Sequence, residues 1–308
     1  MIVRTLAPAK INWTLEVVGR RDDGYHEIRS VMQTIDLCDE VEVRVGNGKA
    51  ERGNGGSVIH GGAATLVVEG VHQATEDDLT LRAARALERA TGRELRVVIT
   101  LEKRIPVAAG LGGGSSDAAA VLRAVDRLYG LGLSGEELAA IGAGIGSDVP
   151  FFVFGGTALA EGRGERITPL PDAPPAWLVV VAPPIRIREK AKRMYEALSA
   201  DDFTDGQRTE ALAERLRQGE LVRGQDLYNV FERAAYESFA GLAADRDALL
   251  DAGPEAIQLT GAGPALFAVF GTRGEGAAVA DALAGSDARV LVARTMGAAE
   301  ATAVVVSE

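Results

Sequence analysis

The chain has 308 residues, a formal net charge of −11 and 47% hydrophobic residues, which is enough for one large or two ordinary domains with a real core. The acidic balance argues against non-specific binding to nucleic acid or anionic membranes, since both depend on a surplus of lysine and arginine. Cys38 is the only cysteine, which excludes an internal disulfide and a cysteine-rich metal site. Because the sequence has neither a membrane-span pattern nor a signal-peptide pattern, we expect a cytoplasmic monomer or homodimer with no nucleic-acid or membrane partner.

The N-terminal part of the chain is predicted to be mostly strand. In AKINWTLEVV, Lys10, Asn12 and Thr14 alternate with apolar residues, so one face of the strand is polar and the other apolar. GRRDDGY then supplies an Asp-Gly hairpin signal, and HEIRSVMQTIDL and DEVEVRV are predicted to be two further strands. The glycine-rich stretch 46–62 is predicted to be a long surface loop.

Helices and strands then alternate in the first half. Apolar residues recur at helical spacing over 77–91 and over about 116–129. A third helix is expected to begin at Ser134, because Glu137 three residues later fits a capping box. LRVVITLEKRIP is predicted to be a strand, and DVPFFVFGGTALA, residues 148–160, is predicted to turn back into strand.

The segment LPDAPPA, with three prolines, marks a candidate linker near residue 172. Beyond it we predict a strand in WLVVVAPP and a strand, glycine turn and strand in AIQLTGAGPALFAVFG, before two final strands. The helices predicted in this half are 189–199, 207–217, 227–243 and one near 275–284. The class is therefore α+β or α/β with two domains, residues 1–170 and 171–308.

A glycine-rich loop at the mouth of a helix is the strongest chemical signal. PVAAGLGGGSSDAAAVLRAVDRLYG, residues 106–130, has four glycines in five positions before two serines and an apolar-periodic segment. Unpaired N–H groups at a helix N-terminus bind phosphate when glycine lets the ligand approach, although a tight strand–helix turn is the alternative. The loop lacks the lysine of a Walker A motif, and Ser115 breaks the dinucleotide fingerprint.

Three motifs together identify a family resemblance. PAKINWTLEVVGRRDDGYHEI (8–28), PVAAGLGGGSSDAA (106–119) and LTGAGPALFAVF (259–270) stand in the order of the three motifs of the GHMP kinase superfamily, which the chain resembles. PAKIN, DGYHEI, GLGGGSSDAAA and GSDVPFF together are similar to members whose alcohol substrate carries cytidine diphosphate. The resemblance implies a ribosomal protein S5 domain 2-like N-terminal domain and a ferredoxin-like C-terminal domain. ATP, Mg²⁺ and the small-molecule substrate are expected to meet between them.

Two residues are expected to be catalytic. Asp148 matches the family's catalytic aspartate, which takes the proton from the substrate hydroxyl; a turn or helix-capping aspartate is the alternative. Lys10 is its expected partner rather than an edge-strand lysine with a solvated head, because it shares a polar strand face with Asn12 and Thr14. A cation beside Asp148 would keep the carboxylate ionised and polarise the hydroxyl.

The glycine loop and the following serines are the expected ATP and metal site. The predicted ATP-binding residues are Pro106, Val107, Ala108, Ala109, Gly110, Leu111, Gly112, Gly113, Gly114, Ser115 and Ser116. Ser115 is the expected Mg²⁺ ligand, with Ser116 as the alternative and no carboxylate assigned beyond Asp148.

The cytidine part of the substrate is expected to contact an aromatic pair. Tyr25 can stack on cytosine and His26 can hydrogen-bond its edge, although both residues also suit an ordinary hairpin. Residues 261–264 are either a hairpin turn or, as the resemblance implies, a loop facing the phosphates. The predicted substrate-binding residues are Asn12, Tyr25, His26, Tyr195, Gly261 and Gly263.

The chain departs from the family pattern at two places. Asp78 stands where the family usually has asparagine on the adenine side, and the segment IRIREKAKRMY is unusually basic. Its basic side chains either form a solvated helix face or contact substrate phosphate; they are Arg186, Arg188, Lys190 and Lys192. Asn229 matches a family position, with a helix-surface asparagine as the alternative.

Two rival functions remain at this stage. One is a GHMP kinase acting on mevalonate, homoserine or a sugar, against which DGYH and PAKIN favour a cytidine-bearing substrate. The other is a non-catalytic nucleotide-binding protein on the same scaffold. Loss of Lys10 or Asp148 would have favoured the second, and both residues are present.

Overall fold

The computed structural model describes residues 1–46, 57–69, 75–254 and 256–307. Its architecture consists of two β-sheets with helices packed against them. Strands and helices are interleaved along the chain, as the sequence pattern predicts. Within the described ranges, none of the helices is both long enough and apolar enough to cross a membrane.

The elements follow one another with short connections. In chain order they are β1 (Ile2–Arg20), β2 (His26–Val45), β3 (Ser57–Gly61), β4 (Ala64–Glu69), α1 (Leu79–Thr91), β5 (Val97–Glu102), α2 (Gly113–Tyr129), α3 (Gly135–Ala143), α4 (Val149–Phe154), β6 (Thr157–Gly162), β7 (Arg166–Pro169), β8 (Trp177–Ala182), α5 (Lys190–Glu196), α6 (Gln207–Arg217), β9 (Tyr228–Asn229), α7 (Glu232–Ser238), α8 (Leu242–Asp251), β10 (Ile257–Leu259), β11 (Leu266–Phe270), α9 (Arg273–Ala282), β12 (Arg289–Arg294), α10 (Ala298–Ala301) and β13 (Val304–Ser307).

The two sheets have different topologies. The first runs in the order β13-β1-β2-β5-β4-β3, with β6 on β2, β7 on β6 and β9 on β1. Helices α1 and α2 pack against this sheet, and α3 and α4 pack against α2. The second sheet runs β10-β11-β8-β12 with every neighbouring pair antiparallel. With α9 between β11 and β12, this is the strand order of a ferredoxin-like unit.

Both faces of β1 are buried, one against the second sheet and the other in a polar cleft. On its apolar face, Trp13 packs edge-to-face on Phe267 of β11, with 5.7 Å between ring centroids. The same cluster continues through Ile11 into the second sheet. The opposite face carries Lys10 and Asn12, each only 3% exposed. The alternation predicted from the sequence therefore becomes an apolar interface on one side and a polar cleft wall on the other.

The segment after Asp148 is a helix, so the predicted strand over residues 149–154 was wrong. Helix α4 is buried on nearly all sides, and its sequence consequently has no amphipathic period by which a helix could be recognised. Pro150 stands in the first turn, where a missing N–H costs no helical hydrogen bond. Strand begins only at Thr157.

Two further predictions differ from the structure. The predicted helix 227–243 is interrupted, because residues 228–229 form β9 and Gly241, with φ +88°, separates α7 from α8. Part of the predicted loop 46–62 is strand, since β3 pairs with β4 in register from Ser57 to Gly61. Residues 47–56 of that loop lie outside the described residues.

The C-terminal half also supplies strands to the first sheet. Strand β9 pairs parallel with β1 at Thr14 and Leu15, and β13 pairs antiparallel with its start, from Ile2 to Thr5. The boundary between domains 1–170 and 171–308 stays a prediction. The two halves are in any case interleaved, because β1 bonds to elements from both.

A buried ion cluster fixes α2 to the ends of β2 and β5. The Lys103 ammonium donates to Asp39 and, at 2.6 Å, to Asp117 on α2. Asp39 also accepts the backbone N–H of Ile105 at 2.8 Å. Burial alone would lower the pKa of Lys103, but the two carboxylates outweigh it and the pKa is raised. Burial raises the pKa of Asp117 despite this cation, which shows how unfavourable a bare carboxylate is at this position.

Lys103→Met should therefore destabilise the fold far more than a neighbouring charge removal. It leaves two buried carboxylates without a cation, a change that costs about 3–5 kcal/mol of unfolding free energy. Arg104→Met is the matched control, because Arg104 makes only exposed ion pairs with Glu40 and Glu102, worth at most about 1 kcal/mol. Urea unfolding of both variants measures the difference; equal losses would mean that the buried cluster contributes nothing special.

Candidate active site

Most residues predicted for catalysis and substrate binding line one cavity of about 1040 Å³. These residues are Lys10, Asn12, Tyr25, His26, Asp148, Tyr195 and Gly261, while Gly263 is not part of the lining. A second cavity of about 410 Å³ is lined by residues 106–115 of the glycine loop. Ser115 lines both cavities, so they meet at the N-terminus of α2. Ser116 lines neither cavity and is fully buried.

The side-chain amide of Asn12 connects the two halves of the site. Its Oδ1 accepts the Lys10 ammonium at 2.6 Å and the backbone N–H of Gly261 at 2.9 Å. Its Nδ2 donates to Ser30 Oγ on β2 at 2.7 Å. All of these groups are buried, and a fully satisfied buried network holds its members in one arrangement. Asn12 thereby orients Lys10 and anchors the glycine turn of the second half.

Lys10 is a buried cation whose charge is opposed by its surroundings. Its backbone N–H donates to the carbonyl of Leu111 in the glycine loop at 2.9 Å, which places it against that loop. Burial lowers the pKa of its ammonium, and the negative charge of Asp148 partly restores it. The two predicted catalytic residues are thus electrostatically coupled across the cavity that both line.

Asp148 occupies the N-cap position of α4, but its side chain makes no capping hydrogen bond. The capping alternative considered for this aspartate therefore does not hold. The residue is half-buried and lines the larger cavity together with Ser147 and Ser115. The start of α4 therefore positions the carboxylate, and no capping hydrogen bond of that helix occupies it.

The glycine loop is packed against the second half of the chain with no room for side chains. Gly110, at φ +90°, has a backbone conformation that L-residues rarely adopt. A Cβ there would collide with the carbonyl oxygen of Thr260 and lie 2.9 Å from that of Gly263. The loop carbonyl of Ala109 accepts the N–H of Ala265 at 3.0 Å. The two glycine motifs therefore form one continuous surface.

Aromatic residues form another part of the lining of the larger cavity. His26 and Tyr195 stack with ring centroids 4.9 Å apart and an interplanar angle of 19°. Tyr195 meets Phe231 edge-on at 4.8 Å. Tyr25 is 54% exposed and has the guanidinium of Arg163 4.9 Å above its ring. Burial, helped by the charge of Arg20, lowers the pKa of His26, so its imidazole is neutral at pH 7.

One basic residue of the segment 185–195, Lys190, is half-buried and contacts the two glycine loops. Lys190 donates to the carbonyl of Ala108 at 2.7 Å and also to that of Gly263. Burial, together with the charge of Lys10, lowers the pKa of its ammonium to about 8. Lys192, by contrast, lies on the exposed side of α5, 3.9 Å from Glu196.

Two positions from the motif comparison have clear structural roles. Asn229 is buried in β9 rather than on a helix surface, and it donates to the carbonyls of Leu259 and Gly261 at 2.8 and 2.9 Å. It thus supports the turn that Asn12 holds from the other side. Asp78 caps α1, accepting the N–H of Thr80 at 3.0 Å, and lines the smaller cavity.

Comparison with known proteins agrees with this geometry. Residues 78–156 match the family GHMP kinases N terminal domain. A 4-diphosphocytidyl-2-C-methyl-D-erythritol kinase from Dehalococcoides mccartyi is 40% identical over 86% of this chain and 88% of its own length. The chain belongs to the 4-diphosphocytidyl-2-C-methyl-D-erythritol kinase family. It is therefore an enzyme, an ATP-dependent kinase of the GHMP superfamily, and the resemblance inferred from its motifs is confirmed.

Solved structures confirm the fold of this kinase. A crystal structure of a 4-(cytidine 5'-diphospho)-2C-methyl-D-erythritol kinase is 34% identical, covers 96% of this chain and 99% of that chain, and superposes with a TM-score of 0.76. A homoserine kinase from Cytophaga hutchinsonii, at 18% identity, covers 99% of this chain and 97% of its own, with a TM-score of 0.71. The latter supports the fold alone. The predicted α+β, two-domain GHMP kinase fold is confirmed.

The kinase has oxygen ligands suited to Mg²⁺ where its two cavities meet. Ser115 and Asp148 line the larger cavity, and the buried hydroxyl of Ser116 makes no hydrogen bond within the described part of the chain. There is no cluster of three or more acidic, histidine or cysteine side chains among the described residues. This sparse donor set fits Mg²⁺, which keeps several waters and substrate phosphates and needs only one or two protein ligands.

Sequence reasoning missed or left open several cations of this kinase. Arg20 and Arg163 both line the larger cavity, and neither was predicted to belong to the site. Arg163 follows a glycine in a turn, which is a weak signal by itself. The basic segment was recognised, but which of its residues turns inward depends on the loops of both halves and is not visible in local sequence.

Gly110→Ala should weaken ATP binding strongly, while Gly130→Ala should not. Both glycines have positive φ, but a Cβ on Gly130 meets no atom within 4 Å, whereas one on Gly110 collides with the opposing loop. Gly130→Ala should cost about 1 kcal/mol of stability and leave the dissociation constant for ATP unchanged by calorimetry. Gly110→Ala should weaken that binding at least about tenfold; wild-type affinity would contradict the packing of the two loops.

Proposed function

We propose that the chain transfers the γ-phosphoryl group of ATP to the 2-hydroxyl of 4-diphosphocytidyl-2-C-methyl-D-erythritol, in the methylerythritol phosphate pathway of isoprenoid precursor synthesis. The observation that carries the proposal is a single cavity lined both by Lys10 and Asp148 and by the aromatic residues Tyr25, His26 and Tyr195. The named activity of the relatives supports the same substrate.

The reacting end of the cavity provides a base and a fixed cation. Asp148 accepts the proton of the substrate hydroxyl as its oxygen attacks the γ-phosphorus and the bond to ADP breaks. Lys10, held by Asn12, stabilises the ionised carboxylate and the negative charge on the attacking oxygen. Because phosphoryl transfer needs mainly positioning and neutralisation of charge, the protein has little covalent chemistry to perform.

The glycine loop and α2 bind the phosphates of ATP. Backbone N–H groups at the start of α2 and the positive end of its dipole point to a binding site for anions. Mg²⁺, when bound, neutralises negative charge on the phosphate oxygens. Ser115 is the residue that would hold it. Ser115 belongs to both cavities, so nucleotide and acceptor meet there.

The aromatic end of the cavity recognises cytosine. Tyr25 offers an exposed ring for stacking, and a neutral His26 has one ring nitrogen that donates and one that accepts. A cytosine edge presents the same combination of donor and acceptor groups. Arg163, above the Tyr25 ring, adds positive charge near the expected diphosphate.

The acceptor is tested by ADP release from ATP and Mg²⁺ with 4-diphosphocytidyl-2-C-methyl-D-erythritol, run beside mevalonate, homoserine and galactose. We expect turnover with the cytidine-bearing alcohol alone, because only it fills both ends of the cavity. Turnover with another acceptor would contradict the proposed role of Tyr25 and His26 in binding cytosine. ATP binding without turnover of any acceptor would favour the alternative of a non-catalytic nucleotide-binding protein.

Asp148→Asn tests the base. Loss of proton abstraction should lower kcat about 10²- to 10⁴-fold, with the Kd for ATP changed less than about threefold because the glycine loop is intact. Asp251→Asn is the control, since Asp251 is exposed at the end of α8 and should leave both values unchanged. A wild-type kcat for Asp148→Asn would remove this residue from the proton transfer.

A further inference from the structure

Lys190 joins the two glycine motifs through its ammonium group. It lies at the start of α5, far in sequence from both loops, yet it donates to Ala108 in the second motif and Gly263 in the third. Its contacts are therefore made at the point where the phosphate-binding surface passes from one half of the chain to the other.

The backbone on both sides of this contact is held in an unfavourable conformation. Among the described residues, only Ala108 and Glu189 are non-glycine residues with positive φ, at +61° and +52°. Ala108 supplies one of the accepting carbonyls, and Glu189 directly precedes the donor. An L-residue is strained in such a conformation, and strain of this kind is concentrated at binding sites. The fold thus holds Lys190 in place against a local cost.

Lys190 also lacks an anionic partner. The described ion pairs include Lys103 with two carboxylates and Lys192 with Glu196, but none involves Lys190. Burial lowers the pKa of the Lys190 ammonium, and the positive charge of Lys10 lowers it further. A half-buried cation satisfied by carbonyl dipoles, beside the buried ammonium of Lys10, is an environment that favours uptake of an anion.

We propose that Lys190 binds the terminal phosphates of ATP over the glycine loop, supplying from the second half of the chain the lysine that the loop itself lacks. In Walker A loops the lysine within the motif reaches the β- and γ-phosphates. Here the same charge comes from α5, and its ammonium exchanges a carbonyl oxygen for phosphate oxygens, which form stronger charge-assisted hydrogen bonds. The inference rests on the proposed function of the glycine loop but not on the identity of the acceptor.

The test compares nucleotides that differ only in phosphate number. Calorimetry with Mg²⁺ measures the binding of AMP, ADP and a non-hydrolysable ATP analogue to Lys190→Gln, which removes the charge but keeps an amide donor for the two carbonyls. We expect the Kd of the ATP analogue to rise 10- to 100-fold and that of AMP to change less than twofold. Arg193→Met is the control, because Arg193 is exposed on α5 and, in the described part of the chain, does not share the hydrogen bonds of Lys190 to the two glycine loops; this variant should bind all three nucleotides as the wild type does.

Two results would overturn the inference. Equal weakening of AMP and the ATP analogue would mean that Lys190 only holds the loops together. Unchanged binding of the ATP analogue, with a raised KM for the acceptor, would move the residue to the acceptor's phosphates. If Lys190→Gln fails to fold, Lys190→Arg, which keeps the charge, takes its place, and a wild-type difference between AMP and the ATP analogue is then expected. The binding measurement requires no turnover. It therefore still tests the role of Lys190 if the proposed acceptor proves not to be a substrate.

Discussion

The carboxamide of Asn12 is the interaction on which the rest of the site depends. One oxygen accepts both the Lys10 ammonium and the N–H of Gly261, while the amide nitrogen is held by Ser30. A strand of the first sheet, its neighbour and a turn of the second half are thereby fixed by one side chain. Asn229 completes the arrangement by holding Gly261 from the opposite side. The cleft is rigid because every polar group in this network has a partner.

The charges of the molecule are distributed so that the larger cavity favours anions although the net charge of the chain is negative. The chain as a whole carries −11, which repels polyanions from most of its surface. The larger cavity has the opposite character, since its lysines and arginines outnumber its carboxylates; the cations are Lys10, Arg20, Arg163 and Lys192, against Asp148 and Glu196. A cleft of one sign within a surface of the other focuses the field and steers small anions inward.

Local sequence predicted the parts of the site that are local in structure. The alternation along β1 predicted the polar face of Lys10 and Asn12, and the glycine loop announced the start of α2. Helix α4 could not be predicted because burial on almost all sides erased its period. The inward turn of Lys190 could not be predicted either, because its partners lie 82 and 73 residues away. Contacts between distant loops follow from packing, which no short window of sequence contains.

The pairing of β13 with β1 has a consequence for the order in which the chain matures. Ile2 is synthesised long before its partner Ser307. Until Ser307 and its neighbours have been made, the start of β1 presents unpaired backbone groups, and an open strand edge invites pairing with other chains. The first sheet therefore keeps one edge open during synthesis until β13 has been made. By covering that edge, β13 protects the folding chain against association with other nascent chains.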